Sequence, residues 1–181
     1  VRKMVEGSTE VEGLHDPGAE GEALREKICF EHAEKLAALH TLDWKAYGFD
    51  EVFDPPDSPT EALISEFELW KGYWEAGKTD PVPLMTEAFY WIKDHIPTEN
   101  TRLCLNKGNN GVGEEIWRDG KIVAMSDWEL AGLGDPCLDW GFSQGMLDVW
   151  DREKVLKHYE EVSGYKVHNK SRTCVGHSGQ P

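Results

Sequence analysis

Apolar residues recur at helical spacing through the first half of the chain and predict three helices. The first is predicted over residues 22–42, the second from Ser58 to about Gly77, and the third from Pro83 to just before Pro97. Ser58 precedes a proline at the first helical position and a glutamate three residues on, a pattern typical of a helix N-terminus. The predicted inward faces are Leu24, Ile28, Ala33, Leu36, Ala37 and His40, then Leu63, Phe67, Trp70, Tyr73 and Trp74, and finally Met85, Ala88, Phe89, Ile92 and Ile96.

The second half of the chain has shorter apolar runs, which predict a β-hairpin between two loops. The runs 115–118 and 121–125 flank Asp119-Gly120, a signal for a two-residue hairpin turn. Glycine and polar residues dominate 107–113 and 126–136, so both segments are predicted to be loops. One loop therefore lies at each end of the hairpin, and both can face the same cleft.

The other segments complete one domain, predicted over residues 1–164. They are a short strand at Val1–Val5, a strand at 102–105, helices at 137–149 and 152–162, and a loose tail over 165–181. The predicted fold class is mainly α, of the α+β type, because helices surround a single small hairpin.

The composition is that of an acidic globular protein. The 34 acidic residues exceed the 19 Lys and Arg residues, and the formal charge is -15. Such a surface repels nucleic-acid and lipid phosphates, so neither nucleic acid nor a membrane is an expected partner. It would favour cationic substrates, although many soluble proteins are simply acidic. No stretch has the roughly 20 apolar residues of a membrane span, and residues 1–13 lack a signal-peptide core, so a cytoplasmic location is expected.

The four cysteines predict reduced thiols because they are scattered and form no CxxC pair. His168, Cys174 and His177 could be interpreted as a metal cluster, but their spacing fits no usual zinc pattern.

The two predicted loops carry the side chains that phosphoryl transfer requires. That reaction needs a metal held by oxygen ligands and a group that orients the acceptor hydroxyl. Mg²⁺ prefers such hard ligands and keeps several waters, so one or two protein ligands suffice. Asp127 follows the second hairpin strand, whereas Asn109 and Glu114 precede the first.

The segment Asp127-Trp128-Glu129, followed by Gly134-Asp135-Pro136 and Asp139, closely resembles the metal-binding loop of the aminoglycoside phosphotransferase and choline kinase-like family. The resemblance implies a protein-kinase-like C-terminal lobe in which Asp127 binds the metal. It also implies structural roles for Asp135, which would cap the next helix, and for Asp139.

The family's catalytic loop, His-Gly-Asp followed by four residues and Asn, is similar to Lys107-Gly108-Asn109 and Glu114. The resemblance implies that Asn109 orients the acceptor, that Lys107 occupies the position of the loop-ordering imidazole, and that Glu114 assists Asp127 in binding Mg²⁺. Asn109 accepts a hydrogen bond but cannot take a proton as a carboxylate does. A register one residue later would use Asn110 and Glu115, and it loses the match at Gly113.

Three other segments extend the resemblance. Met4-Val5-Glu6-Gly7 is similar to the hinge that leads out of the ATP-binding lobe, which implies that Met4 and Glu6 lie near ATP and that the N-terminal lobe is absent from the chain. Residues 36–40 resemble the family's helix ending in Leu-Ala-x-Leu-His, and His40 is interpreted as a helix-terminal residue near the negative end of the dipole. Trp91, in the helix before the catalytic loop, is expected in the core.

The resulting prediction is an ATP- and Mg²⁺-dependent phosphotransferase that acts on a hydroxyl of a small molecule and is present as a fragment. Two alternatives remain open. The substitution at Asn109 favours a catalytically degenerate pseudokinase or binding module, and the expected absence of the ATP lobe favours an inactive truncated product. The acceptor and the oligomeric state do not follow from the sequence, because fold does not fix substrate.

Overall fold

The computed structural model describes residues 4–99 and 102–167. It is mainly helical, with two small antiparallel sheets, which confirms the predicted fold class. The elements are α1 (Gly18–His40), a 3-10 turn (Phe49–Glu51), α2 (Pro59–Gly77), α3 (Pro83–His95), β1 (Cys104–Asn106), β2 (Glu115–Arg118), β3 (Lys121–Met125), β4 (Gly132–Gly134), α4 (Cys137–Phe142), α5 (Gln144–Leu147) and α6 (Arg152–Ser163).

Helix α1 runs through the core and packs against α6 and the hairpin. Its predicted inward face is confirmed, since Ile28, Ala33, Leu36, Ala37 and His40 are buried and Leu24 packs against them. The helix begins at Gly18 and not at residue 22, because Pro17 occupies the N-cap position and sets an extended entry. Gly21 fits there because it has no Cβ, which would lie 1.9 Å from the carbonyl oxygen of Asp16.

The bounds of α2 and α3 are confirmed, but their apolar faces are not in the core. The Ser58 Oγ accepts a hydrogen bond from the Glu61 backbone amide at 3.1 Å, as the cap predicts. Trp70, Tyr73 and Trp91 are 44%, 62% and 47% exposed, so the expectation that these aromatic residues form core is wrong. Helical periodicity marks an apolar stripe, and here α2 and α3 contact mainly each other and β4.

The hairpin has the predicted bounds and the predicted turn. Asp119 and Gly120 have φ of 54° and 70°, the left-handed pair that a type I′ turn requires. The sequence did not predict β4, which pairs antiparallel with β1 from Cys104 opposite Gly134 to Asn106 opposite Gly132. The prediction of a continuous loop over 126–136 is wrong at β4 because two glycines and a single leucine carry no alternating pattern.

The predicted helix over 137–149 is divided at Ser143 into α4 and α5. The Ser143 hydroxyl donates to the carbonyl of Asp139 at 2.8 Å, a local bond of the kind that bends helices. Tyr165 and Val167 were predicted to lie in the tail but pack against the core, and the Tyr165 hydroxyl donates to the His40 carbonyl at 3.1 Å. Residues 168–181, which include the metal ligands considered at His168, Cys174 and His177, lie outside the described residues, as do residues 1–3 of the predicted strand Val1–Val5. Met4 and Val5 are described and are not in a strand. No helix in the described ranges is long and apolar enough to cross a membrane.

Candidate functional site

The two sheets bring together the two loops that the sequence singled out. One loop connects β1 to β2, and the other connects β3 to β4. Strand β1 pairs with β4, and β2 pairs with β3, so the two loops begin and end at paired strands. Ser126 closes the gap between the loops because its backbone amide and its hydroxyl both donate to the Glu114 carbonyl, each at 2.8 Å. The strand pairing and these hydrogen bonds therefore place the two loops next to each other.

Asn109 and Asp127 contact each other directly across the two loops. The Asn109 side-chain amide donates to Oδ2 of Asp127 at 2.6 Å. Asp127 has a φ of 59°, a left-handed conformation that is uncommon outside glycine and often marks a functional position. Within residues 4–99 and 102–167, no donor contacts the other carboxylate oxygen of Asp127, so that oxygen is available to a ligand.

Lys107 lies inside the loop, not on the wall of the cleft. It is fully buried, and its ammonium donates to the backbone carbonyls of Asn109 and, at 3.3 Å, of Asp127. Burial lowers the pKa of Lys107, and nearby carboxylates, including those of Glu114 and Asp127, oppose that effect. The ammonium thus links the two loops through their backbones, in the position where the sequence predicted a loop-ordering group.

Glu114 is half-buried at the end of the first loop, and its backbone is fixed on both sides. Its amide donates to the Gly111 carbonyl at 3.1 Å, and its carbonyl accepts from Ser126. The Glu114 and Asp127 carboxylates are both close enough to the Lys107 ammonium to raise its pKa against the effect of burial. The described residues contain no group of three or more His, Cys, Asp or Glu that could hold a metal, but Mg²⁺ can be held by one or two carboxylates.

Asp139 contacts the start of the first site loop from the interior of the protein. This fully buried carboxylate accepts hydrogen bonds from the backbone amides of Lys107 (2.9 Å) and Gly108 (2.6 Å) and from the Asn110 side chain (2.9 Å). His40 Nε2 also contacts it at 2.9 Å. Burial would raise the pKa of Asp139, but these hydrogen bonds and His40 outweigh burial, and the pKa lies below its ordinary value.

His40 is thus more than a helix-terminal residue. Its Nδ1 lies 2.7 Å from the Tyr159 hydroxyl oxygen, within hydrogen-bond distance, and the ring is fully buried. His40 is the last residue of α1, as interpreted from the sequence, and its ring is in addition a buried bridge between α6 and the site loop. Asp135 has its predicted role, since its Oδ1 accepts from the Cys137 amide at 2.9 Å, at the start of α4.

The alternative register would require Asn110 and Glu115 to face the cleft. Both are buried, and Glu115 is fully enclosed with its Oε1 2.5 Å from His32 Nδ1. Asn109 and Glu114, by contrast, are partly accessible. The geometry favours the first register.

Sequence reasoning missed the buried polar residues Glu31, His32, Glu115 and Ser143. A signal for His32 exists, because it lies four residues after Ile28 and four before Leu36, on the inward face of α1. A polar residue in such a stripe usually has a buried partner. Glu115 gave no comparable signal, since the alternation in β2 covers only four residues.

Met4 and Glu6, predicted near ATP, are exposed beside the hairpin. Ser8 pairs with Trp117 through two backbone hydrogen bonds of 2.9 Å and 2.7 Å, which brings the segment to the edge of β2. Gly7 permits this approach, because a Cβ there would lie 2.7 Å from the Trp117 carbonyl oxygen. Among the described residues, no hydrogen bond joins Met4 or Glu6 to either site loop.

A cleft of about 830 Å³ opens beside the two loops. Gly108 and residues 129–133 form one wall, and residues 54–57 and α2 form the other. Its acidic lining consists of Asp54, Asp57, Glu61, Glu66 and Glu129. A second groove of about 430 Å³, mostly apolar, lies between α2, α3 and α4 and shares Glu66, Trp70, Leu138 and Phe142 with the cleft.

Solved structures identify this arrangement of helices, hairpin and paired loops. The chain superposes on a Ralstonia eutropha protein provisionally described as an aminoglycoside phosphotransferase with a TM-score of 0.79 and 22% identity, over 96% of this chain and 58% of that one. The chain has the fold of an aminoglycoside phosphotransferase-like kinase. Type I macrolide 2'-phosphotransferase gives 0.64 with 18% identity, over 94% and 57%.

A kinase-like neighbour has also been solved with bound ligands. The APH(2'')-IIa complex with streptomycin and ATP matches with a TM-score of 0.55 and 18% identity, over 88% of this chain and 57% of that one. At these identities the likeness concerns the fold. The chain spans somewhat more than half the length of each of these structures.

Curated proteins with similar sequences have a different name. Mouse acyl-CoA dehydrogenase family member 10 is 28% identical over 129 residues, which are 70% of this chain and 12% of that protein. Chicken family member 11 is 24% identical over 112 residues, 61% and 14%. Because the kinase-like chain matches only a small part of these proteins, their dehydrogenase name describes more than the matched segment. No family model matches the chain.

Proposed function

We propose that this chain forms the metal- and acceptor-binding half of an ATP- and Mg²⁺-dependent phosphotransferase that acts on a hydroxyl of a small molecule. The observation that carries the proposal is the contact between Asn109 and Asp127 across two loops that a kinase-like fold brings together. In this proposal Asp127 and Glu114 bind the metal, and Asn109 orients the acceptor. ATP would supply the phosphoryl group, with Met4 and Glu6 on its side of the site.

The donor set fits Mg²⁺. Two carboxylates are hard ligands, and an ion of this kind needs only one or two of them. The Asp127 carboxylate oxygen that accepts no hydrogen bond supports a cation at this place. Bound Mg²⁺ would neutralise charge on the transferring phosphate.

Asn109 changes the chemistry expected of the acceptor side. Its amide accepts a hydrogen bond from an incoming hydroxyl through Oδ1 but takes no proton. General-base assistance is typically worth about 10²–10⁴ in rate. Phosphoryl transfer depends mainly on positioning and electrostatics, so a slow reaction is expected, not a dead site.

The cleft beside the loops is the proposed acceptor site. Its acidic wall suits a cationic or hydroxyl-rich molecule, and its neighbour, the apolar groove that shares Trp70, suits an apolar substituent on the same molecule. The similar solved structures include a macrolide 2'-phosphotransferase and a phosphotransferase in complex with streptomycin and ATP, which supports a small-molecule acceptor.

The test measures ATP turnover and Mn²⁺ binding in the natural protein that contains this chain, with Asp127→Asn as the variant. Mn²⁺ serves as a paramagnetic probe for the Mg²⁺ site. We expect Asp127→Asn to lose both activities. Asp148→Asn, at an exposed ion pair with Arg152, is the matched control and should keep both. Full turnover in Asp127→Asn would contradict the proposal.

A second candidate function is a nucleotide-binding module without transfer, and the amide at Asn109 favours it. ATP-dependent stabilisation against heat, combined with no phosphate release or transfer across a panel of alcohols, would support this candidate. Asn109→Asp separates the two candidates, because a working phosphotransferase should become faster whereas a pure binding module should not.

A further inference from the structure

A series of buried polar contacts lies in the interior next to the first site loop, and the proposed chemistry does not use it. His32 on α1 contacts Glu115 through Nδ1, 2.5 Å from Oε1, and contacts Ser143 through Nε2, 3.0 Å from Oγ. All three side chains are fully buried. The order of contacts matches a nucleophilic triad, but no substrate can reach a serine that is inaccessible to solvent. The arrangement therefore serves to hold the structure.

The series of polar contacts from Glu115 through His32 to Ser143 connects to both ends of the first site loop. Ser143 Oγ donates to the Asp139 carbonyl at 2.8 Å, and the Asp139 carboxylate binds the backbone amides of Lys107 and Gly108. At the other end, Glu115 is the first residue of β2 and directly follows Glu114. Of these three side chains, His32 is the one that contacts both of the others.

The contact with Glu115 sets the direction of its neighbour. Successive side chains at a strand start point to opposite faces, so a Glu115 held inward turns Glu114 away from the interior. Hydrogen bonds to Gly111 and from Ser126 already fix the Glu114 backbone. The other carboxylate oxygen of Glu115, Oε2, is buried and has no partner among the described residues, so His32 carries the hydrogen bonding of that side chain.

We propose that His32 is a positioning residue that holds both ends of the loop 107–114 from helix α1. Where it concerns Glu114 as a metal ligand, the inference rests on the proposed function; the ordering of the loop does not. Removing the imidazole leaves the Glu115 carboxylate buried and unpaired. The start of β2 must then shift or admit water.

The test is hydrogen–deuterium exchange of the whole chain, with His32→Leu compared with Leu36→Ala. Leu36 is fully buried one turn further along α1 and is the control for loss of core packing. Peptides covering 107–114 should exchange about tenfold faster in His32→Leu than in Leu36→Ala, after scaling to exchange in α6. Equal scaled exchange in the two variants would overturn the proposal. If His32→Leu fails to fold, Glu115→Gln and Glu115→Leu decide. The amide should keep loop protection, the leucine should lose it, and equal protection in both overturns the proposal.

Mn²⁺ titration of the same variants addresses the metal. Loss of a group that orients a ligand typically raises the dissociation constant about 10–100-fold, and we expect this in His32→Leu but not in Leu36→Ala. A wild-type chain that binds no Mn²⁺ would overturn the proposed function, while the exchange result would still decide the role of His32.

Discussion

The Asn109 side-chain amide donates to the Asp127 carboxylate at 2.6 Å, and this bond joins the two loops. A carboxylate at position 109 would instead face a second carboxylate at the same distance. The present pair is therefore held together by an amide–carboxylate hydrogen bond, which two carboxylates could replace only with a proton or a cation between them.

Asn109→Asp should make the stability of the chain depend on Mg²⁺. Two carboxylates in contact repel each other, which raises the pKa of one of them. In the presence of a chelator, this repulsion should lower the free energy of unfolding by about 1–2 kcal/mol. Added Mg²⁺ should restore that loss by binding the folded state. Urea unfolding with and without Mg²⁺ measures the effect. Asn109→Ala, which removes the bond without adding charge and keeps both proposed metal ligands, should show a smaller Mg²⁺ response, and an equal Mg²⁺ response in both variants would count against this account.

Asp139→Ala should destabilise the chain by about 3–5 kcal/mol, because it leaves His40 and two backbone amides unpaired in the interior. Chemical denaturation gives the free energy of unfolding directly. Asp148→Ala removes a carboxylate from an exposed pair with Arg152 and should cost less than about 1 kcal/mol. Similar losses in the two variants would show that the Asp139 network contributes little.

Acid should weaken the native state through the same carboxylate. The pKa of Asp139 lies below its ordinary value of 3.8 in the folded chain, so the unfolded chain binds more protons as the pH falls. Its contribution is complete above that ordinary value and is lost as the pH falls toward the folded pKa. The free energy of unfolding should therefore fall less steeply with acid in Asp139→Asn than in the wild type between about pH 5 and pH 3. Parallel curves would contradict the assignment.

Cys137 should be alkylated before Cys29. Burial raises the pKa of Cys29 to about 12, so at pH 8 only about one thiol in 10⁴ is the reactive thiolate, and the side chain is inaccessible. Cys137 is partly exposed. Timed iodoacetamide labelling with mass spectrometry compares the two sites. Cys29 should become reactive only when urea unfolds the chain, and early labelling in the native state would contradict its burial.

Gly108→Ala should cost more than Gly113→Ala, although both glycines have left-handed backbones, with φ of 83° and 109°. A Cβ on Gly108 would lie 2.5 Å from the Leu130 Cβ and 2.8 Å from the Leu130 carbonyl oxygen, whereas a Cβ on Gly113 meets nothing within 4 Å. Backbone strain alone costs about 1–3 kcal/mol, so Gly113→Ala measures that term and the excess in Gly108→Ala measures the clash. Equal unfolding free energies would mean that the loops separate easily.

The elements with strong local signals were predictable. Ser58-Pro59 begins α2 and Asp119-Gly120 turns the hairpin because caps and two-residue turns depend on a few adjacent residues. The strand β4 was not predictable, since Gly132 and Gly134 form a ladder only because β1 lies beside them. Exposure along α2 and α3 also depends on what packs against them, which periodicity does not reveal.

The meeting of the two site loops was predictable, and the roles of Asn109, Glu114 and Asp127 stay predictions. The resemblance related these three residues across the hairpin, and the loops do meet. The buried contacts beside the loops were not predictable, because His32 is separated from Glu115 by 83 positions. Only the fold brings such residues together, and no local pattern encodes the pairing.

The pairing of β1 with β4 has a further consequence. These two short strands lie just before and just after the segment that contains both site loops and the hairpin. Their pairing therefore holds the two ends of that segment together. Changes at the far tip, around Asp119 and Gly120, would alter its contact with α1, where the Lys27 ammonium donates to the Asp119 carbonyl at 3.2 Å. The spacing of the two loops would be preserved, because the pairing of β1 with β4 sets it.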